Sequence, residues 1–204
     1  HCTRRECNTF VGPLAGQHNS NGQHNTFIGV NAGKGPSSSA ATNTGYANDV
    51  LVNSDGKIYI TGKGNGSIDG QESSANDAYI AQYNSDGTRN WTRFIGSTDN
   101  ETGFGLAEGP NNTVHLTAQA LGSIDGHTAT GYGEVLIANY SSDGTKNWSD
   151  FFGGSGDEQP YSIETDSSGN ILLAGYSTGD LSGQTNNGYL DGFFISILKK
   201  EKNN

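Results

Sequence analysis

The sequence predicts an all-β fold in which a unit of about 57 residues, holding four short strands, recurs three times behind an extended N-terminal β arm. Three observations carry this expectation. Gly, Asn, Ser and Thr make up nearly half of the 204 residues while charged residues reach only 16%, a mixture of turn formers and small polar strand residues. Whole segments recur at a near-constant spacing, the run that starts at Val50 returning at Leu106 and again at Ile163. The alternating apolar runs are punctuated by Ser-Asp-Gly or Ser-Gly-Asn, corners that suit a hairpin needing positive φ at Gly or Asn. Leu, Ile, Val and Phe together supply less than a fifth of the chain, so a core shared between stacked units has to offset the entropy of ordering them.

In chain order, residues 1–41 read as the arm. Cys2 and Cys7 lie five apart near its start. A local disulfide, an intermolecular bridge and two free thiols all fit this spacing, whereas a CxxC redox site and a zinc site do not. Asn8-Thr9-Phe10-Val11-Gly12-Pro13-Leu14-Ala15-Gly16 recurs as Asn25-Thr26-Phe27-Ile28-Gly29-Val30-Asn31-Ala32-Gly33, two coils too few to bury a core alone. Gly35 to Thr42 then reads as a linker.

Residues 42–204 form the repeat domain, with units of about 45–98, 99–155 and 156–204. The run Val50 to Gly62 recurs from Leu106 to Ala118 and from Ile163 to Gly175. A loop follows each time: Gly66-Ser67-Ile68-Asp69-Gly70, Gly122-Ser123-Ile124-Asp125-Gly126 and Gly179-Asp180-Leu181-Ser182-Gly183. The third run is Asp77 to Tyr83, Glu134 to Tyr140 and Asp191 to Ile197. The fourth, around Trp91 and Trp148, occurs twice, because the third copy ends in Lys199-Lys200-Glu201-Lys202-Asn203-Asn204. Four antiparallel strands per repeat make a propeller-type blade, so three four-stranded blades are expected, the last short of its outer strand.

The stretch Asn147-Trp148-Ser149-Asp150-Phe151-Phe152-Gly153-Gly154-Ser155-Gly156-Asp157-Glu158, continuing through Tyr161 to Ile171 and Ala174 to Ser177, resembles the SBBP type of bacterial and archaeal β-propeller repeat. The resemblance covers about residues 45–204 and implies a secreted or surface-exposed propeller; it carries no catalytic residues to transfer. The arm's Asn-Thr-Phe-x-Gly-x-x-Ala-Gly coils are similar to those in the heads of trimeric surface adhesins and some fibre proteins.

A net charge of −10 argues against a nucleic-acid surface, and no run of 18 apolar residues is present to span a bilayer. The histidines are His1, His18, His24, His115 and His127, and neither a nucleophile elbow nor a metal-spaced pair accompanies them. The chain is therefore expected not to be an enzyme and to need no cofactor; calcium on Asn53, Asp55, Asn84, Asp86 and Asp143, or on the Asp69 and Asp125 loops, is the weighed exception. The Asp157-Glu158 pair, opposite Asn100-Glu101, is expected to be a solvated loop pair. Six sequons stand at Asn65, Asn90, Asn100, Asn111, Asn139 and Asn147, against a chance expectation of about four from the Asn, Ser and Thr content.

Three blades, one unfinished, leave an open edge. The arm imitates the missing strand: His24-Asn25-Thr26-Phe27-Ile28-Gly29 resembles Trp91-Thr92-Arg93-Phe94-Ile95-Gly96. The expected function is an extracellular or cell-surface structural protein, a self-assembling filament or fibre subunit whose arm donates a strand through Phe10, Val11, Thr26, Phe27, Ile28 and Gly29. The partner is a second copy, with surface glycans as a further partner class. The alternative is a carbohydrate-binding, adhesin-like or glycan-hydrolysing secreted propeller.

Overall fold

A computed structural model of the chain describes residues 9–11, 26–28, 45–65, 67–68, 71–73, 75–130, 132–181 and 183–198. Calls on Cys2, Cys7, Gly29 and Asp69 lie outside the described residues. In the arm, β1 (Thr9–Val11) and β2 (Thr26–Ile28) pair in parallel, Thr9 opposite Thr26 and Phe10 opposite Phe27.

The repeat domain is all β. The first sheet runs in the order β3 (Gly45–Val52), β4 (Ile58–Gly64), β7 (Asp77–Tyr83), β8 (Arg89–Ile95), with a small hairpin, β5 (Ser67–Ile68) and β6 (Gln71–Glu72), between β4 and β7. The second holds β9 (Glu101–Gly109), β10 (Thr113–Ala120), β11 (Glu134–Tyr140) and β12 (Lys146–Phe152). The third has three strands, β13 (Glu158–Thr165), β14 (Ile171–Ser177) and β15 (Asp191–Ile197). Every pairing in these three sheets is antiparallel between sequence neighbours or across one small loop, so each is a meander. The three units are sheets of four, four and three strands, the last short of its outer strand as the sequence implied. Among the described residues no strand lies on the outer edge of β15, and β2 pairs with β1 rather than there. No described helix is long and apolar enough to cross a membrane.

The corners explain the repeat's spelling. At Asn53, Asn84, Ser141 and Asp166 the amide donates to the carbonyl four residues on, and the amide three residues on donates back at 2.9 Å. That closure requires a left-handed residue just before the return strand, supplied by Gly56, Gly87, Gly144 and Gly169 at φ between 72° and 85°. The second unit breaks the rule at its first corner. There Pro110–Asn112 form a 3-10 turn, and Asn111 and Asn112 take the positive φ instead of a glycine.

The sheets stack face to face, with the first strands β3, β9 and β13 gathered along one axis. Leu51, Tyr59, Ile80, Trp91 and Ile95 of the first sheet pack on Leu106, Val114, Leu116, Leu136, Tyr140 and Phe151 of the second. The second sheet's opposite side, with Ala107, Val135, Ile137, Trp148 and Phe152, packs on Ile163, Ile171, Leu173, Phe193, Ile195 and Ile197 of the third. Alternation within each strand sends successive side chains to the two interfaces, so the middle sheet is buried on both sides.

Candidate functional site: the end faces and the central trough

Each sheet has a leading face, toward the next sheet, and a receiving face, toward the one before. The two internal interfaces repeat one another at the level of the backbone. The Glu101 amide donates to the Asn76 carbonyl at 2.8 Å, and at the same position one unit later the Glu158 amide donates to the Gly133 carbonyl at 2.9 Å. On the outer side, Gln82 Nε2 and Trp91 Nε1 of the first sheet both donate to the Ser142 carbonyl in a corner of the second. Trp91 lies edge-on to Tyr59 and stacked on Tyr140, which accounts for its repetition as packing.

At both ends of the stack no described residue covers these faces. Leu106 and Ile163 occupy one receiving-face position and are 6% and 3% exposed, whereas Val50, at the same position in the first sheet, is 61% exposed. Val52, beside it, is also exposed. On the leading face Ile80 and Ile137 are fully buried, whereas Phe194, their counterpart in the third sheet, is 69% exposed and is followed at alternate positions by exposed Ser196 and Leu198.

Where β3, β9 and β13 converge, a polar trough of about 460 Å³ opens between Asn48–Leu51, Phe104–Glu108 and Tyr161–Thr165. Of its polar side chains, Asn48, Asp49 and Glu108 join the first two blades. Asp49 Oδ2 accepts from the Leu106 amide, Asn48 Nδ2 donates to the Gly103 carbonyl, and Glu108 accepts from the Ser54 amide and hydroxyl.

The carboxylates that open the strands overturn one expectation. Glu101 and Glu158 are not solvated but fully buried. Each folds back on the loop four residues earlier: Glu101 accepts from the Ser97 amide and hydroxyl, and Glu158 from the Gly154 amide and, across the sheet, the Ser177 hydroxyl. Glu134 does the same with Thr130, and Asp191 with the Asn187 amide. Burial outweighs the Ser97 bonds and raises the Glu101 pKa; at Glu134 burial pushes up too, but Thr130 and His127 outweigh it and the net shift is downward. Ser or Thr four residues before a strand-opening Glu, as at Ser97 and Thr130, is in the sequence and could have found Glu101 and Glu134; Glu158, with Gly154 at that position, carries no such signal.

His127 closes a further contact that sequence reasoning missed. Its Nε2 lies against Glu134 Oε2, and its ring stacks on Phe151 with centroids 4.1 Å apart, pinning the β10–β11 loop. His115 sits on the leading face of the second sheet, opposite Val114 and Leu116 as expected, against Trp148 at 5.6 Å. Asn139 Nδ2 lies 3.2 Å from its Nδ1, so Asn139, a sequon residue, is buried in the sheet interface.

Of the corner carboxylates weighed for calcium, Asp86 and Asp143 are turn acceptors. Asp86 Oδ1 accepts from the Thr88 amide and hydroxyl, Asp143 Oδ1 from the Thr145 amide, and the Asn53 side chain from the Lys57 amide. Those bonds hold Asp86 and Asp143 below the usual carboxylate range. Asp125, in the second Gly-Ser-Ile-Asp-Gly loop, accepts from Lys146 and Ser149. Among the described residues no group of three His, Cys, Asp or Glu is placed to hold a metal ion.

A model of the SBBP beta-propeller repeat matches residues 147–182, from the outer strand of the second sheet through the β13–β14 hairpin to the loop beyond it. The repeat is of the β-propeller type. No curated protein matches the chain.

Proposed function

We propose that the chain is an extracellular, non-catalytic structural subunit that assembles with its own copies into a surface filament, the arm donating the strand around Thr26 to Gly29 to a neighbour. The observation that carries this reading is the third sheet, which among the described residues has no strand beyond β15 where the other two continue to β8 and β12. An outer edge left open is a template for strand addition, and addition between copies propagates when the contact does not close on itself. Each added backbone hydrogen bond contributes only about 0.5 to 1.5 kcal/mol net. The affinity therefore rests on burying Phe10, Phe27 and Ile28 as anchors, each worth roughly 1.5 to 3 kcal/mol when fully covered.

The test is the particle mass of the full chain by light scattering, alone and with Phe27→Asp and Ile28→Asp together. Large assemblies that dissolve in the double variant are expected; assemblies that persist mean that the arm is not the connector. A hydrolase screen addresses the non-catalytic half of the reading, which turnover abolished by a single carboxylate substitution would overturn.

A further inference from the structure

We propose that a second copy of the chain docks head to tail, laying the leading face of its third sheet on the receiving face of the first sheet. This shares a second copy with the filament reading but uses neither the arm nor the β15 edge, so either can fail alone.

The occupant is written in the chain itself, because the same two faces already mate twice inside it. Leading-face Ile80 is buried among receiving-face residues of the second sheet, and leading-face Ile137 among those of the third. At the ends, Phe194 and Leu198 on one face, and Val50 and Val52 on the other, stand uncovered at the continuation of that series. The backbone is prepared in the same way. Gly45 is the counterpart of Glu101 and Glu158, opening the first strand opposite Gly64 as they do opposite Ala120 and Ser177. Leu190, exposed just before β15, is the counterpart of Asn76 and Gly133. The docked pair thus places the Gly45 amide of one copy on the Leu190 carbonyl of the other, as Glu101 sits on Asn76. A surface that differs from its mate gives a heterologous contact, which closes into a ring or grows into a filament.

The test uses two capped variants of the full chain, Val50→Asp and Phe194→Asp. Both positions are largely exposed, so neither change should disturb a single copy, which circular dichroism checks; Val52→Lys and Leu198→Lys form a second pair. In sedimentation each variant alone should associate about thirtyfold more weakly than wild type or worse. Mixed in equal amounts in the Phe27→Asp, Ile28→Asp background, where the arm adds no growth, they should form a 1:1 dimer that grows no further, because each still carries the face that the other lacks. A wild type that stays monomeric at every concentration, variants that assemble as wild type does, or a mixture that stays monomeric overturns the proposal. If Phe27→Asp with Ile28→Asp dissolves assemblies that Val50→Asp leaves intact, the filament reading stands and this one falls; the reverse result separates them the other way.

Discussion

Replacing His115 with Phe should flatten the acid side of the protein's stability curve. His115 is buried between the second and third sheets, its ring against Trp148. Asn139 reaches Nδ1 as a donor, which puts the ring proton on Nε2, and Nε2 is buried without a partner. Burial lowers the pKa from 6.5 to about 4. The sign follows from proton counting. Between pH 6.5 and 4 the unfolded chain binds a proton on this ring and the folded chain does not, so stability is full above 6.5 and is lost as pH falls, levelling off below 4. At about 1.36 kcal/mol per unit the whole effect is roughly 3 kcal/mol, most of it spent by pH 4.5. For a chain of this size that is on the order of 5 to 10 °C in melting temperature. Phe keeps an aromatic ring on Trp148 but cannot titrate. Urea unfolding of both proteins at pH 7.5 and 4.5 gives the double difference, in which groups common to both, such as Glu101, cancel. The variant should gain about 2 to 3 kcal/mol on wild type over that interval, whatever its offset at pH 7.5. Parallel curves would refute the burial argument.

Further outcomes follow from the same contacts. Glu158→Ala removes the acceptor of the Gly154 amide and one partner of the Ser177 hydroxyl, which keeps its bonds to Gly179, and should cost about 1 to 3 kcal/mol in urea unfolding, with Glu101→Ala, which removes the acceptor of the Ser97 amide and hydroxyl, alike. Gly56→Ala and Gly144→Ala both force an alanine to positive φ, for roughly 1 to 2 kcal/mol. A Cβ at Gly144 would also meet Trp91 at 2.8 Å where Gly56 faces open space, so the second variant should be the less stable by at least about 1 kcal/mol in thermal melts. Trp91→Phe removes the bond to the Ser142 carbonyl and should cost about 1 kcal/mol or more in urea unfolding.

The architecture was legible wherever the physics is local. The period, the strand alternation and the Gly corners are properties of short windows, and Gly56, Gly87, Gly144 and Gly169 take the positive φ that their spelling implies. Pro110-Asn111-Asn112 departs from that spelling, and the corner it makes is a different one. The misreadings concern groups whose surroundings come from elsewhere in the chain. Glu158 looks solvated in a Gly-Ser-Gly-Asp-Glu string because nothing nearby covers it; Ser177 and the Gly154 loop do, and the first of these lies 19 residues away. His115 alternates with apolar neighbours, which places it on a face, but only the third sheet makes that face an interior.

That dependence on neighbours is visible along one strand position. In β11 every residue is buried, because sheets lie on both of its faces, and the sequence Glu-Val-Leu-Ile-Ala-Asn-Tyr is accordingly apolar at successive positions, as in strands covered on two sides. In β15 half-buried and exposed residues alternate through Asp-Gly-Phe-Phe-Ile-Ser-Ile, with Phe193, Ile195 and Ile197 turned inward. Its outward set, Gly192, Phe194 and Ser196, is smaller in total than Val135, Ile137 and Asn139 at the matching positions of β11. A face of that composition buries less apolar area than the internal interfaces do, and contact free energy scales with that area. Docking on it must also meet the cost of lost translation and rotation, which a covalently joined blade escapes. Association through the end faces should therefore be reversible and concentration-dependent, while the two internal interfaces hold.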